Sequence, residues 1–163
     1  VQHKPYTAII FGYQHGGHEF VEAFRSMRKR YIVIDYDPSV VEHMEAEGIR
    51  HGYGDAADVE FLEELNIEHT KFIVSTINDK TINTALLDYV RKHNPDCTFV
   101  CHADSYESAG AYYRLGATYV MLPHFLGSER ISSFIKKHGY NNEVFRDFRK
   151  RQAMTVAQEA PKS

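Results

Sequence analysis

Three features of this chain carry chemistry: a glycine-rich run, single carboxylates placed just after short apolar runs, and ten scattered histidines. The run Gly12-Tyr13-Gln14-His15-Gly16-Gly17 has the spacing of a G-x-G-x-x-G loop, with Gln14 in place of the second glycine. Between a strand and a helix, such a loop offers backbone N–H groups and the positive helix end to a phosphate. Asp35 follows 23 residues after Gly12. A carboxylate at that distance accepts hydrogen bonds from ribose hydroxyls and repels a 2′-phosphate, which disfavours NADP. The second glycine normally lets the backbone approach a pyrophosphate closely, so Gln14 favours a mononucleotide such as AMP or ADP over NAD. His15 adds a phosphate donor when protonated; its alternative is an ordinary exposed loop histidine.

Several other chemistries are excluded. A P-loop needs G-x-x-x-x-G-K-[ST], and His18 and Glu19 follow Gly17 where lysine and a hydroxyl would stand. His15 and His18 span one helical turn, yet no third ligand of suitable spacing accompanies them, so no metal site is expected. No tyrosine is followed by lysine four residues later, so the acid–base pair of short-chain dehydrogenases is missing, and no catalytic residue is assigned.

These residues need a scaffold that brings strand ends together, and the hydrophobic pattern supplies one. Apolar runs at 7–11, 31–34, 49–53, 71–75, 98–102 and 119–122 predict six strands. Helical patterns fall between them, among them one from Pro38 to Gly48 and one from Thr81 to Lys92. This alternation predicts an α/β fold: a doubly wound, Rossmann-like parallel six-stranded sheet of order 3-2-1-4-5-6, with helices on both faces. The ligand crevice of such a sheet lies at the carboxyl ends of its strands, beside strand one. A further helix is predicted over 125–138. The remainder has only weak periodicity at Val144, Phe145 and Phe148, so the expected organisation is a domain over 5–138 and a C-terminal tail or linker over 139–163.

Composition is consistent with this scaffold. The chain has 163 residues, 43% hydrophobic and 25% charged, with a formal charge of −3, as in one globular domain without a general affinity for nucleic acid. The longest strongly apolar stretches run four or five residues, against about 20 for a membrane span. No apolar h-region opens the chain, so no signal peptide is expected. The first residue, Val1, fits either loss of an initiator Met or a piece cut from a longer protein. Cys97 and Cys101 fall four apart in a strand pattern, about 13 Å at 3.3 Å per residue, which is beyond disulfide reach and predicts reduced thiols.

Four strand-end motifs together are more specific than any alone: the Gly12–Gly17 loop with His18-Glu19-Phe20, Asp35-Tyr36-Asp37-Pro38, Tyr53-Gly54-Asp55-Ala56 and Ser75-Thr76-Ile77-Asn78-Asp79. With the ending Val120-Met121-Leu122-Pro123-His124-Phe125-Leu126-Gly127, they resemble the nucleotide-binding RCK (KTN, TrkA-N) domain, most nearly that of the cytoplasmic C-terminus of Kef-type cation:proton antiporters. The resemblance implies that Asp35 holds the adenosine ribose, Asp55 and Ala56 border the adenine, Thr76 closes the pocket and Gly12, Tyr13, Gln14, His15 and Gly17 belong to the phosphate loop. It further implies a homodimer that binds AMP, ATP or NAD(H) and biases a membrane transport unit of the same or another chain, at the cytoplasmic face of the membrane. The expected function is therefore non-catalytic control of potassium or other monovalent cation transport. The alternative is a NAD-dependent oxidoreductase, since the fold is shared.

Three other surface features have plain readings. Arg25, Arg28, Lys29 and Arg30 complement the dipole of the first helix at its C-terminus or mark an anionic partner. The last helix, with Phe125, Leu126, Ile131, Phe134 and Ile135, packs on its own sheet edge or, as the resemblance implies, on a second copy. Arg146, Arg149, Lys150 and Arg151 form a solvated run or touch anionic lipid.

Overall fold

A computed structural model describes residues 4–159. It contains β1 (Ala8–Phe11), α1 (Gly17–Ser26), β2 (Tyr31–Asp35), α2 (Pro38–Ala46), β3 (His51–Tyr53), α3 (Val59–Glu64), β4 (Phe72–Ser75), α4 (Lys80–His93), β5 (Thr98–His102), α5 (Tyr106–Arg114), β6 (Tyr119–Met121), α6 (Pro123–His138) and α7 (Asn142–Glu159). All strand pairs are parallel, and the sheet order is β3-β2-β1-β4-β5-β6, as the pattern predicts.

Strand residues alternate between two cores because successive side chains leave a strand on opposite faces. Ala8, Ile10, Val33 and Val74 pack with Val21 and Phe24 of α1 and Val40 and Met44 of α2. Ile9, Phe11, Ile34, Ile73 and Phe99 pack with Leu62 of α3, Leu86, Leu87 and Val90 of α4, and Ala109 and Tyr112 of α5. Full burial of each such large side chain contributes about 1.5–3 kcal/mol. The helices are started by side-chain caps: Asp37, Asp58, Asp79 and Ser105 each accept from a backbone N–H in the first turn of α2, α3, α4 and α5.

Two local details differ from the sequence reading. β3 starts at His51 rather than Ile49, because the Ile49 N–H donates to the Met44 carbonyl and closes the end of α2. Cys97 lies just ahead of β5; both it and Cys101 are free and buried. Burial pushes the Cys97 thiol up to about 11 and that of Cys101 up to about 12, so both stay protonated near neutral pH.

The chain forms two compact units, one through Pro123 and one from His124. The segment read as a tail or linker holds α7; its residues 160–163 lie outside the described residues. Asn141 caps this helix, its Oδ1 accepting from Glu143 N at 3.1 Å. Within the second unit Phe134 of α6 meets Phe145 and Phe148 of α7 with ring centroids 4.8 and 5.1 Å apart. The sparse apolar positions are thus enough for a small aromatic cluster. Phe125, Leu126, Ile131 and Ile135 remain exposed. Among the described residues no helix is long and apolar enough to cross a membrane.

Candidate functional site

The parallel register brings the tips of β1, β2, β3 and β4 side by side, with Phe11 opposite both Ile34 and Ser75, and Asp35 opposite Tyr53. Each chain then leaves its strand into a loop. Gly12 turns first, at φ +90°, and its N–H donates to the Ile34 carbonyl. His15 and Gly16 follow in left-handed conformations, φ 62° and 106°, and Gly16 caps α1 without a side-chain acceptor. Among the described residues no internal acceptor meets the N–H groups of Gln14, His15 and His18. Unsatisfied donors at a helix start are groups that can meet an anion.

Gly12 and Gly17 are needed for close packing. A Cβ on Gly12 would stand 2.6 Å from Thr76 Oγ1, and one on Gly17 would stand 3.1 Å from the Gly12 carbonyl oxygen. Gln14 and His15 are both exposed on this loop. Tyr13 divides its roles. Its N–H donates to Asp35 Oδ2 at 3.1 Å, while its ring packs into the α1–α2 core, 5.8 Å from the His43 ring.

Asp35, half-buried at the end of β2, also accepts from Asp37 N through Oδ1 at 3.0 Å. Each carboxylate oxygen holds one backbone donor and keeps a further acceptor position. The loop thereby orients the carboxylate and leaves it able to take two hydroxyl protons. Asp37 itself is held below the usual carboxylate range by hydrogen bonds from the Ser39 hydroxyl and Ser39 N, whose donor distances are 2.8 and 3.0 Å.

Thr76 is 3% exposed, and its hydroxyl donates to the Gly12 carbonyl at 2.7 Å, with the Gln14 carbonyl 3.0 Å away. It fastens the glycine loop to β4 and has its proton committed there. Asp55 accepts from Ala57 N at 2.8 Å and shapes its own turn, and the Ala56 side chain belongs to the core. The Gly54 N–H donates to the Asp35 carbonyl oxygen, which draws this turn to the β2 tip. The structure thus joins Gly12, Tyr13, Gln14, Asp35 and Thr76 by direct hydrogen bonds. Asp55 and Ala56 are joined to them only through Gly54.

Two supporting features escape a reading of motifs. Ser75 donates to Asn83, Asn83 Nδ2 donates to the Ile77 carbonyl at 2.8 Å, and Ile77 N approaches Ser75 Oγ at 3.3 Å. This buried polar lock fixes the exit of β4. Its only signal in the sequence is two polar residues at otherwise apolar positions. Tyr36 and Tyr53, 58% and 61% exposed, leave aromatic surface near the β2 and β3 tips. No group of histidine, cysteine and carboxylate side chains suited to a metal occurs among the described residues.

The order of strands and the glycine loop at the β1–α1 turn define a Rossmann-like nucleotide-binding type of domain. The family model of the TrkA-N domain matches residues 8–123, and the chain belongs to that family. A relative is the glutathione-regulated potassium-efflux system protein KefC of Cronobacter sakazakii, 27% identical over 95 residues, which are 58% of this chain and 15% of that protein. The chain therefore spans a small part of this relative. The Kef C-terminal domain of Shewanella denitrificans, solved in an AMP-bound form, superposes with TM-score 0.68 and 21% identity over 94% of this chain and 92% of that one. The GsuK channel, solved bound to NAD, gives TM-score 0.66 and 18% identity over 76% of this chain and 22% of the channel.

Proposed function

We propose that this domain is a non-catalytic regulatory module that binds an adenine nucleotide and, as a homodimer at the cytoplasmic face of a membrane, controls potassium or other monovalent cation transport. The observation that carries the binding half of the reading is the pairing of free loop donors with Asp35. The donors take the phosphate and the oriented carboxylate takes the ribose hydroxyls, with Gly12 and Gly17 keeping the loop close and Thr76 holding its shape. Asp55 and the Ala56 backbone border the base. The KefC relative supports the transport half, as does the AMP-bound Kef domain, and the exposed face of α6 supplies surface for a second copy.

AMP or ADP is the favoured ligand because Gln14 stands where the pyrophosphate bridging the two nucleosides of a dinucleotide needs glycine. NAD(H) is the second ligand reading, supported by the NAD-bound channel. The oxidoreductase alternative is disfavoured because no tyrosine is followed by lysine four residues later to form the acid–base pair of short-chain dehydrogenases. A ligand moves the attached transport unit only through different affinities for two arrangements of the dimer.

Thermal unfolding with and without nucleotide tests this reading. A ligand at a hundredfold its Kd adds about 2.7 kcal/mol of stability. AMP or ADP raises the melting temperature of the wild type and leaves Asp35→Ala unmoved. NADPH stabilising as strongly as AMP overturns the ribose assignment, and substrate-dependent oxidation of NADH restores the enzyme alternative.

A further inference from the structure

The opposite end of the sheet carries a second charged feature, which the nucleotide reading does not use. Arg28, Lys29, Arg30, Tyr31 and Arg50 line a depression of about 300 Å³ where β2 begins. The first three follow α1, but Arg50 comes from the turn ahead of β3. It is brought there by parallel pairing, in which its carbonyl accepts from Val33 N at 3.0 Å.

Balancing helix dipoles does not account for four cations. The C-termini of α1 and α2 both reach this end, where Arg25 Nη2 donates to the Gly48 carbonyl at 3.1 Å. Two helix ends contribute together only about one negative charge. Arg25 has partners of its own in Tyr31 Oη at 3.1 Å and Glu22 at 4.0 Å. Arg30 is held against the Lys4 carbonyl and stacks on the Tyr6 ring. No carboxylate pairs with Arg28, Lys29 or Arg50 among the described residues, and all three are exposed. Arg28 holds a left-handed conformation, φ 55°. Tyr31 is 8% exposed, and its hydroxyl is engaged by Arg25.

We propose that this depression is a second anion site, built for a phosphate-bearing ligand and separate from the strand-tip crevice. Guanidinium groups from two chain segments meet phosphate oxygens in forked geometry, and Lys29 adds a point charge. The ligand is a soluble polyphosphate-type anion or a phosphorylated lipid headgroup, since both present the same group.

The test is calorimetric titration of the 163-residue chain with sodium tripolyphosphate, carried out in saturating AMP so that the crevice is filled. Lys29→Glu/Arg50→Glu lies on exposed side chains, and its thermal melt checks that it folds. The expected result is saturable 1:1 binding that weakens tenfold or more in this variant and is unchanged in Asp35→Ala. Flotation with phosphatidylglycerol-containing and pure phosphatidylcholine vesicles separates the sources: capture by the anionic vesicles alone, lost in the double variant, identifies a headgroup. Tripolyphosphate binding without vesicle capture identifies a soluble anion. Equal tripolyphosphate affinity in wild type and double variant, or absence of both saturable binding and variant-sensitive capture, overturns the proposal. Loss of AMP binding in Asp35→Ala with tripolyphosphate binding intact separates this site from the crevice.

Discussion

The two ends of the sheet face opposite electrostatic problems and solve them with opposite residues. At the carboxyl ends of the strands the helices begin, and Asp37, Asp58 and Asp79 cap three of them while Asp35 waits at the β2 tip. At the amino ends the helices finish, and Arg25, Arg28, Lys29, Arg30 and Arg50 gather. A parallel sheet aligns all its helices alike, so their dipoles add at each end and each end attracts the complementary charge. What separates the ends is how far their charges are committed. The aspartates are nearly all engaged with backbone N–H groups, while the glycine loop keeps N–H donors that no internal acceptor meets among the described residues. The cations exceed what the helix ends need, and three of them have no acidic partner among the described residues.

The sharpest way to break the contrast is Gly12→Ala. The residue sits at φ +90° and its new Cβ meets Thr76 Oγ1 at 2.6 Å, so strain and the disrupted Thr76 bond cost about 2–4 kcal/mol. Chemical denaturation measures that loss, and nucleotide binding should fall with it; a cost under about 1 kcal/mol would mean that the loop relaxes freely. Next in size is the ligand-dependent stabilisation of about 2.7 kcal/mol that Asp35→Ala removes, read from melting curves at a hundredfold the Kd.

Asp37→Ala deletes a helix cap and should lower stability by less than the first two effects. Its pH dependence has a defined sign. The carboxyl is held below its ordinary value of 3.8, so its contribution is complete above that value and fades as the pH falls through the lower folded one. A wild-type minus Asp37→Ala stability difference that grew on acidification would contradict this cap. The smallest effect belongs to Lys29→Glu/Arg50→Glu, whose exposed side chains should change unfolding free energy by no more than about 0.5 kcal/mol each. That near-neutrality, beside a large loss of tripolyphosphate binding, is what a binding role rather than a structural one requires.

Much of the site could be read from residue order because its key members follow strands directly. Gly12 and Asp35 each stand at a strand tip, and period-two apolar runs mark where those tips fall. What residue order did not show has equally local causes. α7 has only a few apolar positions and a cap at Asn141 that is easily passed over. Thr76 offers a hydroxyl to any ligand reading, and only the folded loop shows that the Gly12 carbonyl already takes its proton.

By itself the amino-acid order determined the alternation of strands and helices, the sheet order, the glycine loop and the carboxylate 23 residues beyond it. These follow from chain-local rules: hydrophobic period, helix caps and the handedness of crossovers. Tertiary structure alone decided which groups spend their hydrogen bonds inside the protein and which keep them for a ligand. It also decided that Arg50 joins Arg28 and Lys29. The physical reason is the same in both cases. Parallel pairing sets side by side residues from separate chain segments, and neither the partners of a donor nor the sum of charges at one end of a sheet is a property of any single segment.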